Sequence, residues 1–65
     1  MSSNESITLN PKSHDKLGSY HCGVTREGFV SVAGTPRNIA DGESIADERS
    51  GITVKRNGSE YTFSR

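Results

Sequence analysis

Sixty-five residues allow one domain at most, and a chain of this size buries only about 60% of the surface its unfolded form exposes, which argues against a large enclosed active site. Apolar residues make up 29% of the chain and eight Lys+Arg balance eight Asp+Glu, so the zero net charge removes any general attraction to nucleic acid or an anionic membrane. Cys22 is the single cysteine, which excludes an intrachain disulfide and leaves a metal, a partner chain or a well-formed sheet to stabilise so small a core.

Residues 1–6 carry neither a basic nor an apolar run, so they read as a flexible arm, and the chain as intracellular, either cytoplasmic or a virion component. Residues 7–65 form the expected single β-rich domain. Ile7 and Leu9 alternate with polar residues and predict a short edge strand, and Asn10 to Ser19 reads as a connector containing Pro, Ser and Gly.

Two hairpins dominate the rest. The runs Ser19 to Thr25 and Phe29 to Ala33 flank Arg26, Glu27 and Gly28. A three-residue loop with Gly28 in the left-handed bulge position pairs Val24 with Val30 and Cys22 with Val32, which places these four on one apolar face. The second hairpin joins Ile52 to Arg56 with Ser59 to Ser64 through Asn57-Gly58, a strong signal for a two-residue type I′ turn. That turn predicts Val54 opposite Tyr61, Ile52 opposite Phe63 and Lys55 opposite Glu60, with Ile52, Val54, Tyr61 and Phe63 on the core face. Between the hairpins, residues 34–38 read as a turn. Residues 41–50 read as a short helical turn with Asp41 as cap and Gly51 as stop, or as a compact loop pinned by Ile39 and Ile45. The expected fold is mainly β, with four or five short strands.

Five kinds of chemistry compete for this sequence. His14, His21 and Cys22 are zinc-ligand and nucleophile types, but adjacent His21 and Cys22 on a strand point to opposite faces, with Cys22 inward, so no metal, cofactor or catalytic residue is expected. Gly18 to Thr25 has the glycine spacing of a phosphate loop, with Val24 where the lysine belongs and no helix after it. The acidic residues Asp41, Glu43, Asp47 and Glu48 fall within eight positions and read as a solvated face able to dock a basic partner. Phe29 and Arg26 at one hairpin tip, with Lys55 and Arg56 at the other, fit a small β nucleic-acid binder that stacks bases on an exposed aromatic. The short core and open sheet edges favour the fifth class, a non-enzymatic protein-interaction or assembly module, either homo-oligomeric or docking on a larger partner. Phe29, Arg26, Asp41, Glu43, Asp47, Glu48, Lys55 and Arg56 are its expected contact residues.

Overall fold

The computed structural model describes residues 5–65 and contains eight strands: β1 (Ser6–Leu9), β2 (His14–Leu17), β3 (Tyr20–Val24), β4 (Val30–Val32), β5 (Thr35–Arg37), β6 (Ser44–Asp47), β7 (Ile52–Asn57) and β8 (Glu60–Ser64). They form two four-stranded antiparallel sheets, in the orders β1-β8-β7-β6 and β2-β3-β4-β5. The mainly β class expected from the hairpins holds. Alternation along each strand sends Leu9, Leu17, Cys22, Val24, Val30, Val32, Ile52, Val54, Tyr61 and Phe63 inward, where with Ile39 they make one core between the sheets.

The first hairpin has the expected register, with Cys22 opposite Val32 and Val24 opposite Val30. Its loop is closed by the Thr25 N–H donating to the Phe29 carbonyl at 2.8 Å, and Gly28 has φ +89°. The second hairpin differs. Val54 lies opposite Phe63, Arg56 opposite Tyr61 and Asn57 opposite Glu60, so the two loop residues are Gly58 and Ser59 rather than Asn57 and Gly58. The strands have slipped by two residues relative to each other, which changes every partner but leaves each side chain on its expected face. Lys55 consequently faces Thr62 instead of Glu60. One long-range and one local bond fix the new turn: the Gly58 N–H donates to Asp41 Oδ1 at 2.7 Å, and Arg56 Nε donates to the Gly58 carbonyl at 2.9 Å.

Three expectations need correction. The connector at 10–19 contains β2, the turn at 34–38 contains β5, and residues 41–50 hold strand β6 instead of a helical turn. Each of these short strands gains its identity from a hydrogen-bonded partner, β3, β4 and β7 respectively, and none has enough apolar residues to announce itself. The predicted edge strand at Ile7 and Leu9 is β1, on β8. Of the expected arm at 1–6, residues 1–4 lie outside the described residues; Glu5 exchanges two backbone bonds with Arg65 and Ser6 opens β1.

The two halves of the chain repeat one plan. In the first, the Ser13 N–H donates to Asn10 O at 3.0 Å, Lys12 N–H to Val24 O at 2.8 Å and Val24 N–H to Ser13 O at 2.9 Å. In the second, Glu43 N–H donates to Ala40 O at 2.9 Å, Gly42 N–H to Arg56 O at 2.9 Å and Arg56 N–H to Glu43 O at 3.0 Å. Each set is a tight turn running into a β-bulge, with left-handed Lys12 (φ 74°) matching Gly42 (φ 81°). Strands β1–β4 and β5–β8 therefore correspond in order, and each half gives its first strand to the other's sheet: β1 to β8, β5 to β4.

Because the strands run up and down, alternate connections gather at the two ends of the sandwich. One end holds 10–13, 25–29, 38–43 and 57–60, tied together by Asn10 Nδ2 donating to Ser59 O at 3.0 Å and by the Asp41–Gly58 bond. A methyl group at Gly28 would meet Tyr61 Oη at 2.8 Å, so the β3–β4 tip packs directly over the buried Tyr61. Gly28→Ala is expected to cost at least about 2 kcal/mol, combining left-handed strain with the clash. Gly51→Ala, where φ is +74° and nothing lies within 4 Å of the added carbon, should lose only about 1 kcal/mol. Urea denaturation of both variants checks the difference.

Candidate functional site

The loop end collects Arg26, Phe29, Asp41, Glu43, Lys55 and Arg56, six of the eight residues singled out from the sequence. Asp47 and Glu48 lie at the far end of β6, so the acidic run does not form one surface. Phe29 is 41% exposed, the one large hydrophobic so exposed among the described residues. Its N–H donates to Thr25 Oγ1 at 3.0 Å, which holds the tip in shape, and Arg26 in the same loop is exposed.

The other members of this group serve the fold. Arg56 Nη1 donates to the Ile39 carbonyl at 2.9 Å, its Nε to Gly58 O, and its guanidinium carbon sits 5.4 Å from the centre of the Tyr61 ring. Two of its five donors are thus used within the fold, and the side chain is half-buried. Asp41 accepts the Gly58 N–H, and Glu43 Oε1 accepts the Ala40 N–H at 2.8 Å. These two carboxylates cap loop amides rather than form a free acidic face. Lys55 stays exposed on the outer face of its sheet.

At the opposite end, Asp47 faces inward on β6, across from Ile52. Ser50 Oγ and Ser50 N–H donate to its Oδ2 at 2.8 and 3.1 Å, and Ser50 Oγ in turn accepts the Ile52 N–H at 3.2 Å, a local network that shapes the β6–β7 loop. Arg37 Nη2, from β5, approaches Asp47 Oδ1 at 3.7 Å and makes an ion pair between the two sheets. The Ser50 hydroxyl is the largest influence on the Asp47 carboxyl and lowers it; burial, next in size, opposes this, and the Ser50 amide, Arg37 and Arg49 add smaller lowering effects that leave the carboxyl below its ordinary value. Arg37, Ala46, Asp47, Glu48 and Arg49 line an open cleft of about 420 Å³ along this seam. Beneath it Val30, Val32, Ile45 and Val54 enclose about 10 Å³, under the Arg37–Asp47 pair.

Nothing in the sequence marks Arg37 and Arg49 as neighbours of Asp47. The segments that bring the cleft together, β5 and β6, lack the apolar alternation that marks a strand, so the sequence carries no sign that positions 37 and 47 face each other. Cys22 is 2% exposed and His21 is exposed, the separation expected for neighbours on a strand. Burial pushes the Cys22 thiol up from its usual range, with a smaller contribution in the same direction from Asp15 opposed by a backbone hydrogen bond at Leu17. A buried, protonated thiol is a poor nucleophile, and labelling by a thiol reagent is expected only through opening of the sandwich, with a rate that rises in step with added urea.

The Asp47 network also sets a pH dependence. The carboxyl binds its proton less readily in the folded chain than in the unfolded one, so its contribution is fully present above the ordinary carboxylate pKa of about 4 and is lost as pH falls through the lower folded value. Urea midpoints measured from pH 6 downward should therefore fall below about pH 4, and Asp47→Asn should flatten that fall while lowering the midpoint at pH 6. No family model matches this chain, and no curated protein or solved structure matches it either, so its functional reading rests on the geometry.

Proposed function

We propose that this chain is a small non-enzymatic protein-interaction module that uses the loop end of the sandwich, in self-association or in docking on a larger partner. The observation that carries the reading is Phe29: a large aromatic ring, 41% exposed, on a hairpin tip whose shape is locked by the Thr25 bonds and by the packing of Gly28 on Tyr61. Leaving an aromatic ring in water forfeits the free energy its burial would contribute, and a rigid aromatic loses little entropy when a partner covers it. Arg26 beside it supplies the polar rim. Asp41, Glu43 and Arg56 support the contact by stiffening the loops around it, since their polar groups are spent on backbone amides and carbonyls.

The nucleic-acid alternative keeps Phe29, Arg26 and Lys55, but Arg56 is drawn inward by two carbonyls and the Tyr61 ring. That leaves a thinner basic rim than base stacking beside a phosphate track requires. Sedimentation at low and high protein concentration tests the two readings together. The expected result is association that grows with concentration and is weakened severalfold by Phe29→Ser, with no retention on single-stranded DNA at low salt. A monomer at every concentration removes the self-association form, and salt-sensitive DNA retention lost in Phe29→Ser would replace the protein reading by the nucleic-acid one.

A further inference from the structure

A single stretch of chain joins the two halves, the turn between β4 and β5. Val32 stands opposite Thr35, so Ala33 and Gly34 make the whole reversal by themselves. Both are left-handed, at φ 55° and 92°. This is the backbone of a type I′ turn, in which asparagine or glycine normally leads, and where alanine brings its Cβ too close to the carbonyl that follows. A short hinge under strain invites two copies of a chain to exchange identical elements.

The neighbouring strand already supports a straightened hinge. β3 runs from Tyr20 to Val24 whereas β4 stops at Val32, and the Ala33 N–H donates to the His21 carbonyl at 2.8 Å, in the register that sets Cys22 opposite Val32. An extended Gly34 would come opposite Tyr20. The junction equivalent to β4–β5 is moreover held without any turn. β1 bonds β8 as β5 bonds β4, each the first strand of one half on the fourth strand of the other. That ladder runs straight on from Ser6 opposite Ser64 to two bonds between Glu5 and Arg65, although no turn joins the two strands.

We infer that two copies of this chain exchange halves through the β4–β5 hinge, so that β1–β4 of one copy closes on β5–β8 of the other. Residues 30–37 then run as one straight strand in each copy. The register of the closed form, Val30 opposite Arg37 and Val32 opposite Thr35, carries over between the copies and continues through its centre, with Ala33 of one copy opposite Gly34 of the other. The pairings between the halves, β1 on β8 and β4 on β5, and the core between the sheets are kept, now made between chains. What differs is the relief of two strained turns and the entropy of association, which protein concentration offsets. The inference goes beyond the loop-end reading, because its contact is the strand exchange itself and its hinge lies at the end of the sandwich away from Phe29.

The test is refolding of the full chain from urea at high and low protein concentration, followed by size-exclusion chromatography. Ser6 lies opposite Ser64 across the two halves, so a chain carrying both Ser6→Cys and Ser64→Cys, oxidised with glutathione disulfide, reports which copy closes on which. An exchanged dimer is joined by interchain disulfides, and any other species holds an intrachain one. Cys22 is buried and stays out of that reaction. The expected result is a dimer that forms at high concentration, persists on dilution because its halves must open to separate, and remains a dimer on a non-reducing denaturing gel. One left-handed alanine is worth roughly tenfold and a dimer opens two turns, so Ala33→Gly should lower the dimerisation constant roughly a hundredfold. Gly34→Ala, which at φ +92° meets nothing within 4 Å, strains the closed turn alone and should raise the constant by a similar factor. Phe29→Ser should leave the exchange unchanged. A dimer whose disulfides are all intrachain overturns the exchange, as does a Gly34→Ala chain that stays monomeric after refolding at high concentration. The disulfide readout on the natural hinge decides the matter even where a hinge variant folds poorly. A dimer lost in Phe29→Ser and indifferent to both hinge variants would transfer self-association to the loop end, so the two readings fail separately.

Discussion

The exchange of first strands between the two halves is the constraint on which the molecule depends. A three-stranded meander of this length has one apolar face and nothing to cover it, and an isolated small sheet is marginal in water. Here β2–β4 and β6–β8 cover each other, and β1 and β5 each widen the sheet of the opposite half. Neither half can be removed without exposing the other's apolar face and deleting one of its strands. That interdependence answers the question posed by a short chain without a disulfide: the staple is the reciprocal strand, with Tyr61, Phe63 and Ile52, each no more than 1% exposed, at the centre of the shared core.

The same economy shapes the surface. Most polar side chains that could have formed a reactive cluster are bonded to the backbone: Asp41 to Gly58, Glu43 to Ala40, Asp47 to Ser50, Arg56 to Ile39 and Gly58. Loops in so small a protein have little apolar packing to hold them, and charged side chains fix them instead. Two places escape this use, the partly exposed Phe29 and the cleft between β5 and β6.

The legibility of the fold followed the strength of local signals. The β3–β4 hairpin was readable to the residue because the alternating valines fix the faces and a three-residue loop with Gly28 in the left-handed position fixes the partners. In the β7–β8 hairpin the faces were readable but the partners were not. Asn57-Gly58 favours one turn locally, whereas Asp41 binds the Gly58 N–H from 17 residues away, Arg56 binds the Gly58 carbonyl, and the turn lies one position further along. β2, β5 and β6 were illegible because each is three or four residues long and presents a single apolar or even a charged residue to the interior. The cleft was hidden for the same reason: Arg37 and Asp47 declare themselves a pair only once β5 and β6 are known to be the facing edges.

The strand exchange is symmetric in space but not along the chain. β5 follows β4 through only Ala33 and Gly34, so β2–β5 can assemble entirely from hairpins between sequence neighbours. β1 must wait for β8, whose synthesis and pairing come at the far end of the chain, with Ser6 meeting Ser64 and Glu5 meeting Arg65. Closing so long a loop carries an entropy cost that the local hairpins avoid. The β2–β5 sheet is thereby cast as the early-forming template and the β1–β8 junction as the last to close, so the two halves, nearly equivalent once folded, take unequal parts in the kinetics of getting there.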